Sequence, residues 1–112
     1  MAASDLYSDA ISALTTARAT MLSPEWQASI DAGSAEQRLT ASQQLIQIQQ
    51  TILALSNASL NDIANAMQQN AVALTSATSA LKSALADITK VGNVINAASS
   101  LVAVIAKIVP LL

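Results

Sequence analysis

Histidine and cysteine are both missing from this chain of 112 residues. Their absence removes the commonest general base, the thiol nucleophile, disulfides and most zinc chemistry together. It also leaves the redox compartment open. Aromatic residues are reduced to Tyr7 and Trp26, with no Phe, so a core has to be built from Leu, Ile, Val, Met and much Ala. Such a palette favours helices packed closely on one another over a sheet sandwich. Glycine occurs only at Gly33 and Gly92, which excludes a glycine-rich phosphate loop. Charge is scarce as well: charged residues make up 11% of the chain, against a usual share of about 25%. The five basic residues, Arg18, Arg38, Lys82, Lys90 and Lys107, are scattered through a chain of net charge −2, so no basic stripe exists to meet nucleic acid. Disorder is excluded from the other side, because 53% of the residues are hydrophobic. The opening MAASDLYSDA has neither a basic n-region nor an apolar h-region. No Sec-type leader is expected, which leaves a cytoplasmic location or export by a signal-independent route.

What the chain does have is periodicity. Counting by sevens from Leu60 gives Met67, Leu74, Leu81, Ile88, Ile95, Val102 and Val109, all apolar. Three residues behind each runs a second series, Ile63, Asn70, Ala77, Ala84, Val91, Ala98, Ile105 and Leu112, which only Asn70 interrupts. Two such interleaved series form the a/d seam of a helix packed on other helices. The flanks of this seam change along its length. Before Val94 they alternate small and polar residues; after it, LVAVIAKIVPLL carries one charge, Lys107. A helix apolar nearly all round is either buried on every side or in contact with lipid. Gly92-Asn93 offers an alternative, ending one helix and capping the next in a fold-back that closes a four-helix monomer; the seam keeps its phase through it, however, so a single helix over 60–109 is the reading adopted. Asn70 is assigned a register-setting role in that seam, the best-attested use of a solitary buried Asn.

Upstream, Ser4 with Asp5 opens a helix near 5–22. Ser23-Pro24-Glu25 opens a short corner helix over 24–32 that stops at Gly33. Ser34-Ala-Glu36-Gln37 is a capping box that opens a helix over 35–57. This third helix has two apolar rows. One is Ala41, Leu45, Ile48, Ile52 and Leu55; the other is Leu39, Ile46 and Leu53, about 120–140° round the axis. Two rows predict a helix held between two neighbours, with Gln43, Gln44, Gln47 and Gln50 on a solvated outer face. Asn57-Ala58-Ser59 then makes a turn, with Ser59 and Asp62 capping the long final helix. The fold expected is all-α: one domain, an antiparallel helical bundle or coiled-coil hairpin whose last helix outruns its partners. An unbroken 60–109 helix is about 75 Å long against about 35 Å for 35–57. On this reading the apolar end projects, and the rest of the fold does without it.

Catalysis is not expected. Of seven acids, Asp5, Glu25, Glu36 and Asp62 fall in first turns, where the helix dipole accounts for them. Ser79-Ala-Leu-Lys82 matches the S-x-x-K of penicillin-binding enzymes, but the companion S-D-N and K-T-G elements are absent. No catalytic, cofactor-binding or metal-binding residues are assigned, and no small-molecule substrate or nucleic acid is expected. Two functional classes follow from the projecting end. In one, Ile95, Leu101, Val102, Val104, Ile105, Ile108, Val109 and Leu112 form an interface with further copies or with a helical protein partner. In the other, the same residues meet a membrane, as in a component of a helical pore-forming or translocator-type assembly, which the layout resembles in pattern alone. One local expectation is directly measurable. A lone Trp at a corner between helices closes the end of a core, so Trp26 emission should be blue-shifted in the native chain; emission like that of indole in water would refute this.

Overall fold

Polar punctuation decides where the helices stop. In the computed structural model, which describes residues 2–109, six helices follow one another and no strand occurs among those residues. They are α1 (Ala3–Met21), α2 (Pro24–Asp31), α3 (Ala35–Asn57), α4 (Leu60–Gln69), α5 (Ala71–Leu85) and α6 (Val91–Ala106). Between α1 and α2, the Ser23 hydroxyl donates to the Thr20 carbonyl at 2.6 Å and accepts from the Trp26 N–H at 3.2 Å. It thereby stops one helix and caps the next, with Pro24 supplying the preset first position. Ser34 caps α3 by accepting from the Gln37 N–H at 3.1 Å. Gly33 is not in the left-handed region. The Arg38 guanidinium reaches back instead, donating to Asp31 O, the last carbonyl of α2, at 3.5 Å and to Gly33 O at 2.9 Å. Two caps differ from expectation. Ser4 lies inside the first turn of α1, with Ala2 at the cap, and Ser59 precedes α4 without accepting a side-chain bond.

The larger correction concerns 60–109, which is three helices and not one. The first break is at Asn70. The ladder reaches Asn70 N–Ala66 O at 3.1 Å and resumes at Leu74 N–Asn70 O at 2.8 Å. The Asn70 side chain donates to the Ala66 carbonyl at 2.8 Å, an alternative partner for the backbone of the kind that weakens helix interiors. The second break is at Ala86–Lys90, ahead of Gly92-Asn93, which instead begin α6. Asp87 is responsible. Its carboxylate accepts from both the Thr89 N–H at 3.2 Å and the Thr89 hydroxyl at 2.5 Å, closing a local turn in place of the next helical one.

The reversal brings α6 back against α5, and α6 also packs on α3; α1 packs on α3, α4 and α5. The energetic reason is the apolar content of α6. Burying each Val, Leu or Ile is worth about 1.5–3 kcal/mol, so leaving this helix projecting would forfeit on the order of 10 kcal/mol. Val94, Ala98, Leu101 and Ile105 are wholly buried, and the fold cannot do without them. The seam counted from Leu60 survives in outline: Ile63, Met67, Leu74, Ala77, Leu81, Val91, Ile95, Ala98, Val102 and Ile105 are all buried, now on three helices, as is Val109 just past the last of them. At the other end of the core Trp26 is 1% exposed, as the corner position implies. Tyr7 ties the start of α1 to the end of α3, its hydroxyl donating to Leu55 O at 2.9 Å.

The Asp87 turn has a pH signature. The two Thr89 hydrogen bonds, the side-chain one first, hold the Asp87 carboxyl below its ordinary value of 3.8, with Lys90 adding in the same direction. A carboxyl lowered by folding stabilises fully above its unfolded value and loses that contribution as pH falls through the folded one. We expect Asp87→Ala to lower the melting temperature at neutral pH and to shrink the loss of stability below pH 3.8. Asp87→Asn, which keeps an acceptor for Thr89, should lose less at neutral pH. Thermal melts across the acid range check both, and an acid limb unchanged in Asp87→Ala would refute the assignment.

Candidate functional site

The residues assigned from sequence to an interface or membrane lie elsewhere than expected. Ile95, Leu101, Val102, Ile105, Ile108 and Val109 are buried in the chain's own core and Val104 is half-buried against it. Leu112 lies outside the described residues. The apolar surface of α6 is therefore covered by α3 and α5. Its outer face is small and uncharged: Asn93, Asn96, Ser99, Ser100 and Ala103 are exposed there. Among the described residues no helix is long and apolar enough to cross a membrane. Asn70 is half-buried and spends its amide on its own helix, acting as a break between α4 and α5.

Polar chemistry is thin. Among the described residues no group of three or more His, Cys, Asp or Glu side chains gathers where it could hold a metal ion. Asp5, Glu25, Glu36 and Asp62 do occupy first turns. Ser79 and Lys82 line a cavity of about 170 Å³ between α1 and α5, together with Leu6, Asp9, Leu74, Thr75 and Thr78. Both side chains are exposed.

The unusual element is α3, whose apolar rows are distributed differently from the expectation. Its core face is Ala41, Gln44, Ile48, Thr51 and Leu55. This is an a/d seam in which both d positions are polar, so Gln44 belongs to the interior and not to the outer glutamine face. The second row is uncovered: Leu39 and Leu53 are each 60% exposed and Ile46 is 55% exposed. Their spacing of seven keeps them on one line of the helix, on the side away from the core seam. Flanking this line are Ser42, Gln43, Gln49 and Gln50, all exposed and none charged. The expected second neighbour of α3 is absent, because α1 and α6 both sit on its core side. Other exposed apolar residues, Leu22 and Val72, stand singly beyond the end of α1 and on α5 and need no explanation.

Comparison with known protein families, with curated proteins and with solved structures finds no match.

The polar d position carries a measurable penalty. Gln44 is 4% exposed and its Nε2 has no hydrogen-bond partner. A buried donor left unsatisfied costs about 1–3 kcal/mol. Gln44→Met, similar in length and apolar, should raise stability by about 1–2 kcal/mol. In a domain of this size that is a rise of several degrees in the melting temperature. A lower melting temperature in calorimetry would show that the amide is in fact satisfied.

Proposed function

We propose that this chain is a non-catalytic interaction protein, an antiparallel helical bundle that binds another helix through the outward row of α3. The observation that carries the reading is the row itself: Leu39, Ile46 and Leu53 lie in one line, more than half exposed, and belong to no part of the core cluster. Isolated surface leucines are ordinary, but three at heptad spacing form the seam that a second helix packs against. The same helix keeps two polar residues in its core seam while holding three large aliphatics outside, an arrangement that stability alone does not favour. The surface thus moves from α6, where the apolar content is highest, to α3, where it is unspent. A membrane-inserting α6 would first have to leave both α3 and α5, and we do not adopt that reading.

The reading requires that the row contribute nothing to the chain's own fold. In the triple variant Leu39→Lys, Ile46→Lys, Leu53→Lys we expect helicity by circular dichroism and the melting temperature to stay within a few degrees of the parent. Binding of a hydrophobic dye such as ANS to the native chain should drop several-fold. Loss of cooperative unfolding in the triple variant would mean that the row is core, and would overturn the proposal.

A further inference from the structure

We infer that the occupant of this row is the same row of a second copy, the two α3 helices pairing antiparallel about a two-fold axis through Ile46. The inference rests on the reading of α3 as a contact surface and adds the identity of the partner.

Three features of α3 support it. The first is that the row reads identically from either end. A two-fold contact requires that residue i meet j while j meets i. With the axis at Ile46, Leu39 faces the partner's Leu53, Leu53 faces the partner's Leu39, and Ile46 faces its own mate. The flanks obey the same inversion. Gln43 falls beside the partner's Gln50, and Ser42 beside the partner's Gln49. A carboxamide both donates and accepts, so amide against amide, and hydroxyl against amide, are self-complementary.

The second feature is charge. From Leu39 to Asn61 the chain carries no charged residue at all. Antiparallel pairing sets Glu36 beside the partner's Ala54 and Arg38 beside the partner's Ser56, so no like charges meet. The antiparallel arrangement also opposes the two helix dipoles favourably. A face without charge sets no like charges against its own copy, so self-pairing carries no electrostatic penalty.

The third is area, which fixes the strength. α3 is 23 residues long, about 35 Å. A contact about 10 Å wide along that length buries on the order of 700 Å² in total, below the roughly 1,200 Å² of stable complexes. The pair is therefore weak, with a dissociation constant of about 10 µM to 1 mM. Neutral flanks make it indifferent to salt.

The chain has no cysteine, so a single introduced thiol reports its own neighbours. Under mild oxidation, full-length Ile46→Cys should give a disulfide dimer on a non-reducing gel. Leu39→Cys alone should not. Its mate would lie about 21 Å away along the helix, far beyond the roughly 7 Å Cα separation that a disulfide spans. An equal mixture of Leu39→Cys and Leu53→Cys should again give the dimer. Ser99→Cys, on the exposed face of α6, measures random collision. Light scattering of the parent chain should show mass rising toward a dimer over the range from about 10 µM to 1 mM, with the triple lysine variant staying monomeric. Dimer yield from Ile46→Cys no greater than from Ser99→Cys, with a monomeric parent, overturns self-pairing. If the triple variant is then still folded and its dye binding still lost, α3 remains a contact surface for some other helix. Rapid crosslinking of Leu39→Cys with itself would overturn the antiparallel register. Unfolding of the triple variant would overturn the contact surface and self-pairing together.

Discussion

A helix with one apolar stripe needs one neighbour, and α6 has two. Val91, Ile95, Ala98, Val102 and Ile105 continue the line of the upstream seam, while Val94 and Leu101 form another at the same spacing that Ile108 extends just past the helix end. Both are buried, because α6 packs on α5 and on α3 together. This double demand organises the rest. It requires a reversal after α5, which Asp87 and Thr89 provide within a few residues. It draws α3 inward along Ala41, Ile48 and Leu55, and α1 completes the enclosure by packing on α3 and α5. The chain achieves this with a single tryptophan and no phenylalanine. Small residues such as Ala10, Ala13, Ala17, Ala41 and Ala98, all buried, supply close approach of helix backbones where larger side chains would otherwise fill space.

The way α6 takes up its two neighbours leaves α3 with an unequal division of its residues. One side serves the core and includes Gln44 and Thr51, the latter satisfied by donating to Gln47 O at 2.7 Å. The other side holds Leu39, Ile46 and Leu53 in water. Rotating α3 to exchange these sets would bury more apolar area, yet it would also withdraw Ile48 and Leu55 from α1 and α6. Tyr7 opposes any such rotation, since its bond to Leu55 O fixes one end of α3 against α1. Helix α3 is therefore held in a rotation that favours its exposed row.

How far the fold could be read from the sequence follows from the range of each signal. Caps at Ser23 and Ser34 were legible because donor and acceptor lie three residues apart, and their chemistry needs no tertiary context. The all-helical class and the burial of Trp26 were legible for similar reasons. Continuity of 60–109 was not. Leu81, Ile88 and Ile95 keep a spacing of seven straight through the reversal, and a period reports which face is buried without reporting whether the axis is straight. The discriminating mark was Asp87-x-Thr89, an acceptor two residues before a β-branched donor, which competes with the helical ladder; Gly92 drew attention away from it. On α3 the two apolar rows were visible, but the number of neighbours was not, since that depends on where α6 goes. Sorting by apolarity also hid the true seam, because Gln44 and Thr51 occupy its d positions.

The sparing use of aromatic residues has a consequence for following the molecule in solution. Trp26 sits against the core where α1, α2 and the start of α3 converge, and Tyr7 sits where α1 begins and α3 ends. No third ring exists to blur them. The two ends of the core, separated by most of the roughly 35 Å length of α3, therefore carry one native chromophore each. A cooperative domain must lose both environments in a single transition. A chain that opened from the α4 end, where Asn70 already interrupts the ladder, would disturb the tyrosine while leaving the tryptophan enclosed.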